Sequence, residues 1–337
     1  MQVNSVQAYS MIVNFIKAQL VPMIVGSPGC GKSQIVHGIA KEFNLKVIDL
    51  RLSQCDPTDL SGFPTIVGKK ATYAPMDTFP IEGDKLPDGY SGWLLFLDEF
   101  NSAPPAVQAA AYKIVLDRMV GLNHLHKNVA ICCAGNLETD NAIVQPMSTA
   151  LQSRLVHLEL SVDHKVWIDW ATSNGIDHTI TSYIEFKPGN LFSFKPDHTD
   201  STYACPRTWE FANRLLKVVP VDSKEALPML AGTLSEGIAR EFLGFCKIHK
   251  QLPDIKQIVT NPTGIPMPSE PSILYALTGA ISHHATLENF GKVMTFVARM
   301  PVEFQVVCLR ACIRRNRGLA SHEALQKWLK DSAAELF

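Results

Sequence analysis

The stretch "VGSPGCGKSQ", residues 25–34, constrains the fold more than any other part of the chain. Gly26 is followed by four residues and then by Gly31-Lys32-Ser33. This is the G-x(4)-G-K-[ST] spacing of a phosphate-binding loop. Its context is the required one: the apolar run "VPMIV" (21–25) reads as a buried strand, and residues 33–43 read as a helix. Glycines at these places let backbone N–H groups turn inward around a β-phosphate, and the helix N-terminus is aimed at the same charge. The residues expected to contact the nucleotide are Gly26, Ser27, Pro28, Gly29, Cys30, Gly31, Lys32, Ser33 and Gln34. Lys32 reaches the β- and γ-phosphates, and the Ser33 hydroxyl ligates Mg²⁺. The Cys30 side chain is small enough for the loop, and its alkylation is expected to block nucleotide binding.

The strands that follow extend this reading. "KVIDLRL" (46–52), "GWLLFLDEF" (92–100), "NVAICCAGN" (128–136) and "RLVHLEL" (154–160) alternate with helical stretches at 33–43, 104–119 and 147–153. Several of the strands are apolar throughout, as strands covered on both faces must be. The pattern predicts an α/β fold with a parallel sheet covered by helices. After residue 161 the pattern turns helical, with predicted helices at 163–175, 206–219 and 223–249 and over most of 270–335. The expected organisation is an α/β nucleotide-binding part at 1–161 followed by helical regions at 162–250 and 251–337. The N-terminal twenty residues are expected to be a helix. "DPTDLSGFP" (56–64) reads as a short capped helix ending at Gly62, and "PTIVGKKATYAP" (64–75) as a hairpin turning at "GKK".

Polar residues at the ends of apolar strands carry the expected chemistry. An acid at the end of a buried strand is costly unless it meets a cation. Asp98 is placed to hold Mg²⁺, and Glu99 to polarise the attacking water as general base. The plain alternative is two solvated acids. Asn136, ending the next strand, would orient the same water or touch the γ-phosphate; alone, it would read as a turn residue. Arg154 follows a short helix, where the helix dipole favours a cation. The sharper reading is that it reaches a phosphate of a neighbouring subunit. Arg207 follows Pro206 into the first turn of a helix, where a cation is unfavourable unless an anion is near. A nucleotide phosphate is one candidate, and Glu210 is the other.

In chain order, Gly26–Ser33, Asp98-Glu99, Asn136, Arg154 and Arg207 resemble the AAA+ ATPases: Walker A, Walker B, sensor 1, arginine finger and sensor 2. "DPTDLSGFP", "AGNLETDNAIVQPMSTALQSRLVHLEL" and "WIDWATSNGI…CPRTWEFANRLL" resemble the MoxR branch (the AAA_5, dynein-related subfamily), in its bacterial and phage members. The resemblance spans about residues 15–220. It implies a P-loop NTPase αβα sandwich at 1–161 followed by a helical lid at 162–250, and an ATPase that uses ATP and Mg²⁺, works as a homo-oligomeric, hexameric ring and remodels a protein client in a chaperone-like way. A partner with a von Willebrand factor A domain is also implied. It further implies two inserted hairpins directed at the pore or face of the ring, one near Lys69, Lys70 and Tyr73, the other at 120–128. It leaves open whether Arg207 acts on its own subunit's nucleotide or a neighbour's.

Composition narrows the alternatives. Lys and Arg number 31 against 32 Asp and Glu, a net charge of −1, with no long basic run. That counts against a nucleic-acid motor of the restriction or replication type, which draws on clustered cations. No apolar run reaches the roughly 18 residues of a membrane span, so no membrane is expected. The eight cysteines include no CxxC pair and read as core thiols of a cytoplasmic protein.

Overall fold

The computed structural model describes residues 2–140, 144–250, 252–253 and 255–336. Asn141–Ile143, inside the "LETDNAIVQP" stretch, and Gln251, at the expected boundary between lid and C-terminal region, lie outside the described residues. The chain forms two compact units. The first holds residues 1–163 with 195–198, and the second holds 164–194 with 199–337.

The strands of the first unit are β1 (Gln2–Val3), β2 (Val21–Val25), β3 (Leu45–Arg51), β4 (Phe63–Val67), β5 (Lys70–Ala74), β6 (Gly92–Asp98), β7 (Met119–Val120), β8 (Asn123–His124), β9 (Val129–Gly135) and β10 (Leu155–Leu160). Its helices are α1 (Ser5–Lys17), α2 (Lys32–Glu42), α3 (Pro57–Ser61), α4 (Pro105–Asp117) and α5 (Thr149–Gln152). Six strands form one parallel sheet in the order β1-β10-β2-β9-β6-β3. The sheet is covered on both faces, and its strands divide residue by residue between two cores. Met23, Leu95, Leu97, Ile131 and Cys133 pack towards α3 and α4 with Leu60, Val107 and Ile114. Ile24, Leu94, Phe96, Cys132 and Ala134 pack towards α1 and α2 with Ile12, Val36 and Ile39. This is the period-two division that a doubly covered strand requires. It makes the unit an αβα sandwich around a parallel sheet.

Three local details depart from the sequence expectation. The N-terminus does not begin as a helix. Gln2–Val3 adds a short strand beside β10, and the capping box of Asn4 and Gln7 starts α1 only at Ser5. The strand expected at 92–100 stops at Asp98, because Glu99 turns into the left-handed region at φ 55°. In the second unit, the single helix expected at 223–249 is two helices, broken at Ser235 with φ 84°.

Two small hairpins stand apart from the main sheet. β4 and β5 pair antiparallel around Gly68-Lys69, with Gly68 at φ 64°. β7 and β8 pair around Gly121, at φ 59°. They adjoin: a Cβ on Gly121 would meet Ser61 O at 2.5 Å and Tyr73 Cβ at 3.2 Å. Phe63, Ile66, Val67, Tyr73 and Leu122 are exposed on them.

The second unit is helical: α6 (His164–Ser173), α7 (His178–Phe186), α8 (Pro206–Leu216), α9 (Ala226–Leu234), α10 (Glu236–Lys250), α11 (Ile255–Thr260), α12 (Pro271–His284), α13 (Phe290–Val297), α14 (Val302–Arg315) and α15 (Glu323–Leu336). Tyr183, Trp209 and Phe242 pack ring against ring at its centre, with centroids 5.3–5.6 Å apart. Residues 162–250 and 251–337, read as separate regions in the sequence, both fall within this unit apart from Val162, Asp163 and 195–198. Among the described residues, no helix is long and apolar enough to cross a membrane.

Candidate nucleotide site

The candidate site is built on the C-terminal edge of the parallel sheet, where ligands of open α/β sheets bind. Register places its parts side by side. Val25 pairs with Gly135, Leu97 with Cys133, and Arg51 with Asp98. The first residues beyond these strands are therefore neighbours: Gly26, Asn136, Glu99 and, one residue further after β3, Ser53.

The loop after β2 turns through two left-handed glycines, Gly29 at φ 79° and Gly31 at φ 102°. A side chain at either would be strained. Gly26 N–H donates to Gly135 O at 3.3 Å, which ties the loop to β9. Helix α2 opens at Gly31 without a side-chain cap. An anion suits the N–H groups and the positive dipole end of such a helix. The backbone thus fits a phosphate. Cys30 is buried, and its thiol faces the apolar layer beneath the loop with Ile24, Val36 and Leu160. What Cys30 offers a nucleotide is its backbone.

Lys32 is 9% exposed, yet fully provided with acceptors. Its ammonium donates to Gly26 O at 2.6 Å, to Ser27 O at 3.3 Å and to Asn136 Oδ1 at 3.2 Å. The contact with Asn136 joins two residues 104 positions apart. The Ser33 hydroxyl donates to Asp98 Oδ2 at 3.4 Å. A hydroxyl and a carboxylate at this separation, both half-buried, form an oxygen donor pair of the kind Mg²⁺ takes.

Glu99 is the strained residue of the site. Its left-handed backbone costs on the order of 1–2 kcal/mol for a residue with a Cβ. Asp98 Oδ1 holds that turn by accepting the Glu99 N–H at 2.9 Å. The effect is to aim Glu99 away from the strand line while Asp98 stays in it. Strain of this kind gathers at functional positions. The Glu99 carboxylate accepts a short hydrogen bond from the Ser53 hydroxyl.

Two residues of this arrangement have no signature in the sequence. Ser53 is one. Asn101 is the other: it is 4% exposed and grips the backbone of Asn136 at both ends. Its Nδ2 donates to Asn136 O at 2.7 Å, and its Oδ1 accepts the Asn136 N–H at 3.0 Å. Gly135 makes room for it, since a Cβ there would lie 2.3 Å from Asn101 Oδ1.

Beneath the site, burial pushes the thiols of Cys132 and Cys133 well up, with nearby Asp98 adding to the effect on Cys132. These are inert core thiols rather than nucleophiles.

The two arginines lie on other elements. Arg154, just after α5, is exposed. Its Nη1 donates to Ala150 O at 2.7 Å and to Ser153 Oγ at 3.3 Å. Arg207 is exposed in the first turn of α8, in the second unit. Glu210 pairs with Arg214 at 2.7 Å, one helical turn on. The structure thus brings Lys32, Ser33, Asp98, Glu99 and Asn136 together. It leaves Arg154 at the surface of the same unit and Arg207 on the other.

Residues 22–156 match the model of the ATPase family associated with various cellular activities (AAA). No curated protein matches the chain. Among solved structures, the RuvB Holliday junction branch migration motor of Thermotoga maritima overlaps 82% of this chain and 80% of its own, at 15% identity and a TM-score of 0.39. NtrX from Brucella abortus, in complex with ATP, overlaps 97% of this chain and 67% of its own, at 14% identity and a TM-score of 0.41. Overlaps this loose carry nothing about activity.

Proposed function

We propose that this chain is an ATPase of the AAA+ class that converts ATP and water to ADP and phosphate, and that it works as a MoxR-type remodeler of protein clients. The observation that carries the reading is the convergence of Lys32, Ser33, Asp98, Glu99 and Asn136 on one sheet edge, beside a glycine loop that opens a helix. The match of residues 22–156 to the AAA family supports it independently.

Each residue has a task that its geometry fits. The loop from Gly26 to Gln34 offers backbone N–H groups to the phosphates. Lys32 exchanges its carbonyl acceptors for phosphate oxygens. Ser33 and Asp98 would hold Mg²⁺, which would supply charge neutralisation to the phosphates. Glu99, offset from the strand by its turned backbone, takes the proton of the attacking water. Ser53 occupies that carboxylate and must release it for the transfer. Asn136, fixed by Asn101, presents its amide oxygen to Lys32 and its amide N–H₂ to the water or the γ-phosphate. Arg154, exposed, acts on the nucleotide of a neighbouring copy in a hexameric ring. Arg207 is a second phosphate contact, in its own subunit or across the interface.

The apolar residues exposed on the adjoining hairpins β4–β5 and β7–β8, with Lys69 and Lys70 at a tip, suit contact with a polypeptide. A protein client, and a partner with a von Willebrand factor A domain, fit such a face better than DNA does. A near-neutral charge adds to this. The setting proposed is the cytoplasm.

The test uses the full chain with Mg²⁺. Glu99→Gln is expected to bind ATP with near wild-type affinity and to hydrolyse it about 10²–10⁴-fold more slowly. Lys32→Ala is expected to lose nucleotide affinity. Hydrolysis by Glu99→Gln at the wild-type rate would remove Glu99 from the mechanism and the reading with it.

A further inference from the structure

We infer that Tyr112 is a positioning residue for Arg154: its ring holds the guanidinium in the attitude from which it reaches a neighbouring subunit's phosphate. The inference rests on the cross-subunit role proposed above for Arg154.

The guanidinium carbon of Arg154 lies 5.4 Å from the centre of the Tyr112 ring, within the range of a cation–π contact. Tyr112 is half-buried on α4 and packs against the core cluster that holds Ala111, Ile114 and Val115 of the same helix. The ring is therefore mounted on a helix fixed in the core. Arg154, by contrast, follows a helix of only four residues. Such a short element gives a long side chain little support of its own.

The hydrogen bonds of Arg154 sharpen the point. Both start from Nη1, one to Ala150 O and one to Ser153 Oγ. Among the described residues, no carboxylate pairs with it. Nη2 and Nε therefore keep their donors for an anion. An arginine serving only the dipole at its helix end would need neither the ring nor the spare donors. One that must meet a phosphate on another molecule needs both. Misplacement by 1 Å costs on the order of a hundredfold in rate.

Steady-state ATPase assays on the full chain test this, with light scattering on the same samples. Tyr112→Leu and a second ringless variant, Tyr112→Met, are expected to lower kcat roughly tenfold, with KM and assembly mass unchanged. Tyr112→Phe keeps the ring face and is expected to stay within about twofold of wild type. In an Arg154→Ala background, Tyr112→Leu is expected to change nothing further. Wild-type kcat in both ringless variants, an equal loss in Tyr112→Phe, or a full additional loss in the Arg154→Ala background overturns the inference about Tyr112 alone. Wild-type kcat in Arg154→Ala itself overturns the cross-subunit role first, and the inference falls with it.

Discussion

Replacing Gly135 with Ala inserts one methyl group where the structure has no space for it. The new Cβ would lie 2.3 Å from Asn101 Oδ1 and 2.7 Å from Met23 Cε. Met23 has a flexible thioether end and can give way. Asn101 cannot, because its amide is held at both ends by the backbone of Asn136, at 2.7 and 3.0 Å. Moving it breaks those bonds inside a side-chain site that is 4% exposed. Overpacking costs about 1–3 kcal/mol, and each buried group left without a partner costs about 1–3 kcal/mol. The backbone itself accepts alanine, since Gly135 is not in the left-handed region. The expected loss for Gly135→Ala is about 3 kcal/mol. Asn101→Ala is expected to lose about 2 kcal/mol. If the clash is with Asn101, the double variant loses about 3 kcal/mol instead of the additive value of about 5, a coupling of about 2 kcal/mol. Urea unfolding followed by circular dichroism, on wild type, both single variants and the double variant, measures it. Losses that add within about 0.5 kcal/mol would refute the reasoning.

Three further outcomes follow from the same geometry. Ser53→Ala removes the hydroxyl that occupies the Glu99 carboxylate; it is expected to shift kcat severalfold with ATP affinity unchanged, checked by steady-state assay and nucleotide titration. Cys30 is buried under the loop, so thiol labelling of the native chain is expected to be much slower than in urea; once labelled, the chain should lose nucleotide binding. In the second unit, His283 stacks on His178 with centroids 4.6 Å apart. Burial foremost, then Arg315 and His284, hold its pKa below the usual 6.5, while Asp177 opposes them. The unfolded chain therefore binds the extra proton first, and stability falls as pH drops below about 6.5. His283→Gln is expected to flatten that part of the stability profile between pH 7 and 5, measured by thermal unfolding.

Much of the site could be read because its residues carry local signatures. The glycine loop needs its spacing, and an apolar strand that ends in Asp98-Glu99 or Asn136 announces a polar task at its end. Ser53 and Asn101 carry no such mark. Each matters only because strand register sets it beside a residue far along the chain: Arg51 opposite Asp98 brings Ser53 to Glu99, and Asn101 reaches back to Asn136. The turn at Glu99 was equally hidden, since nothing in "LDEF" separates two residues in strand geometry from one in strand and one in the left-handed region. The break at Ser235 is hidden for the same reason: an apolar periodicity runs on across a single residue with positive φ. Arg207 is a cation in a first helical turn, which calls for an anion nearby without specifying whose nucleotide supplies it.

The most direct test of the central claim is the specific ATPase rate of the full chain against protein concentration. Light scattering on the same samples gives the assembly mass, with Arg154→Ala beside the wild type. The account predicts a specific rate that climbs steeply as rings form. Arg154→Ala should assemble and bind ATP, yet hydrolyse it about 10³-fold or more slowly. A monomer that hydrolyses ATP at the full rate, with Arg154→Ala indistinguishable from wild type, would contradict it.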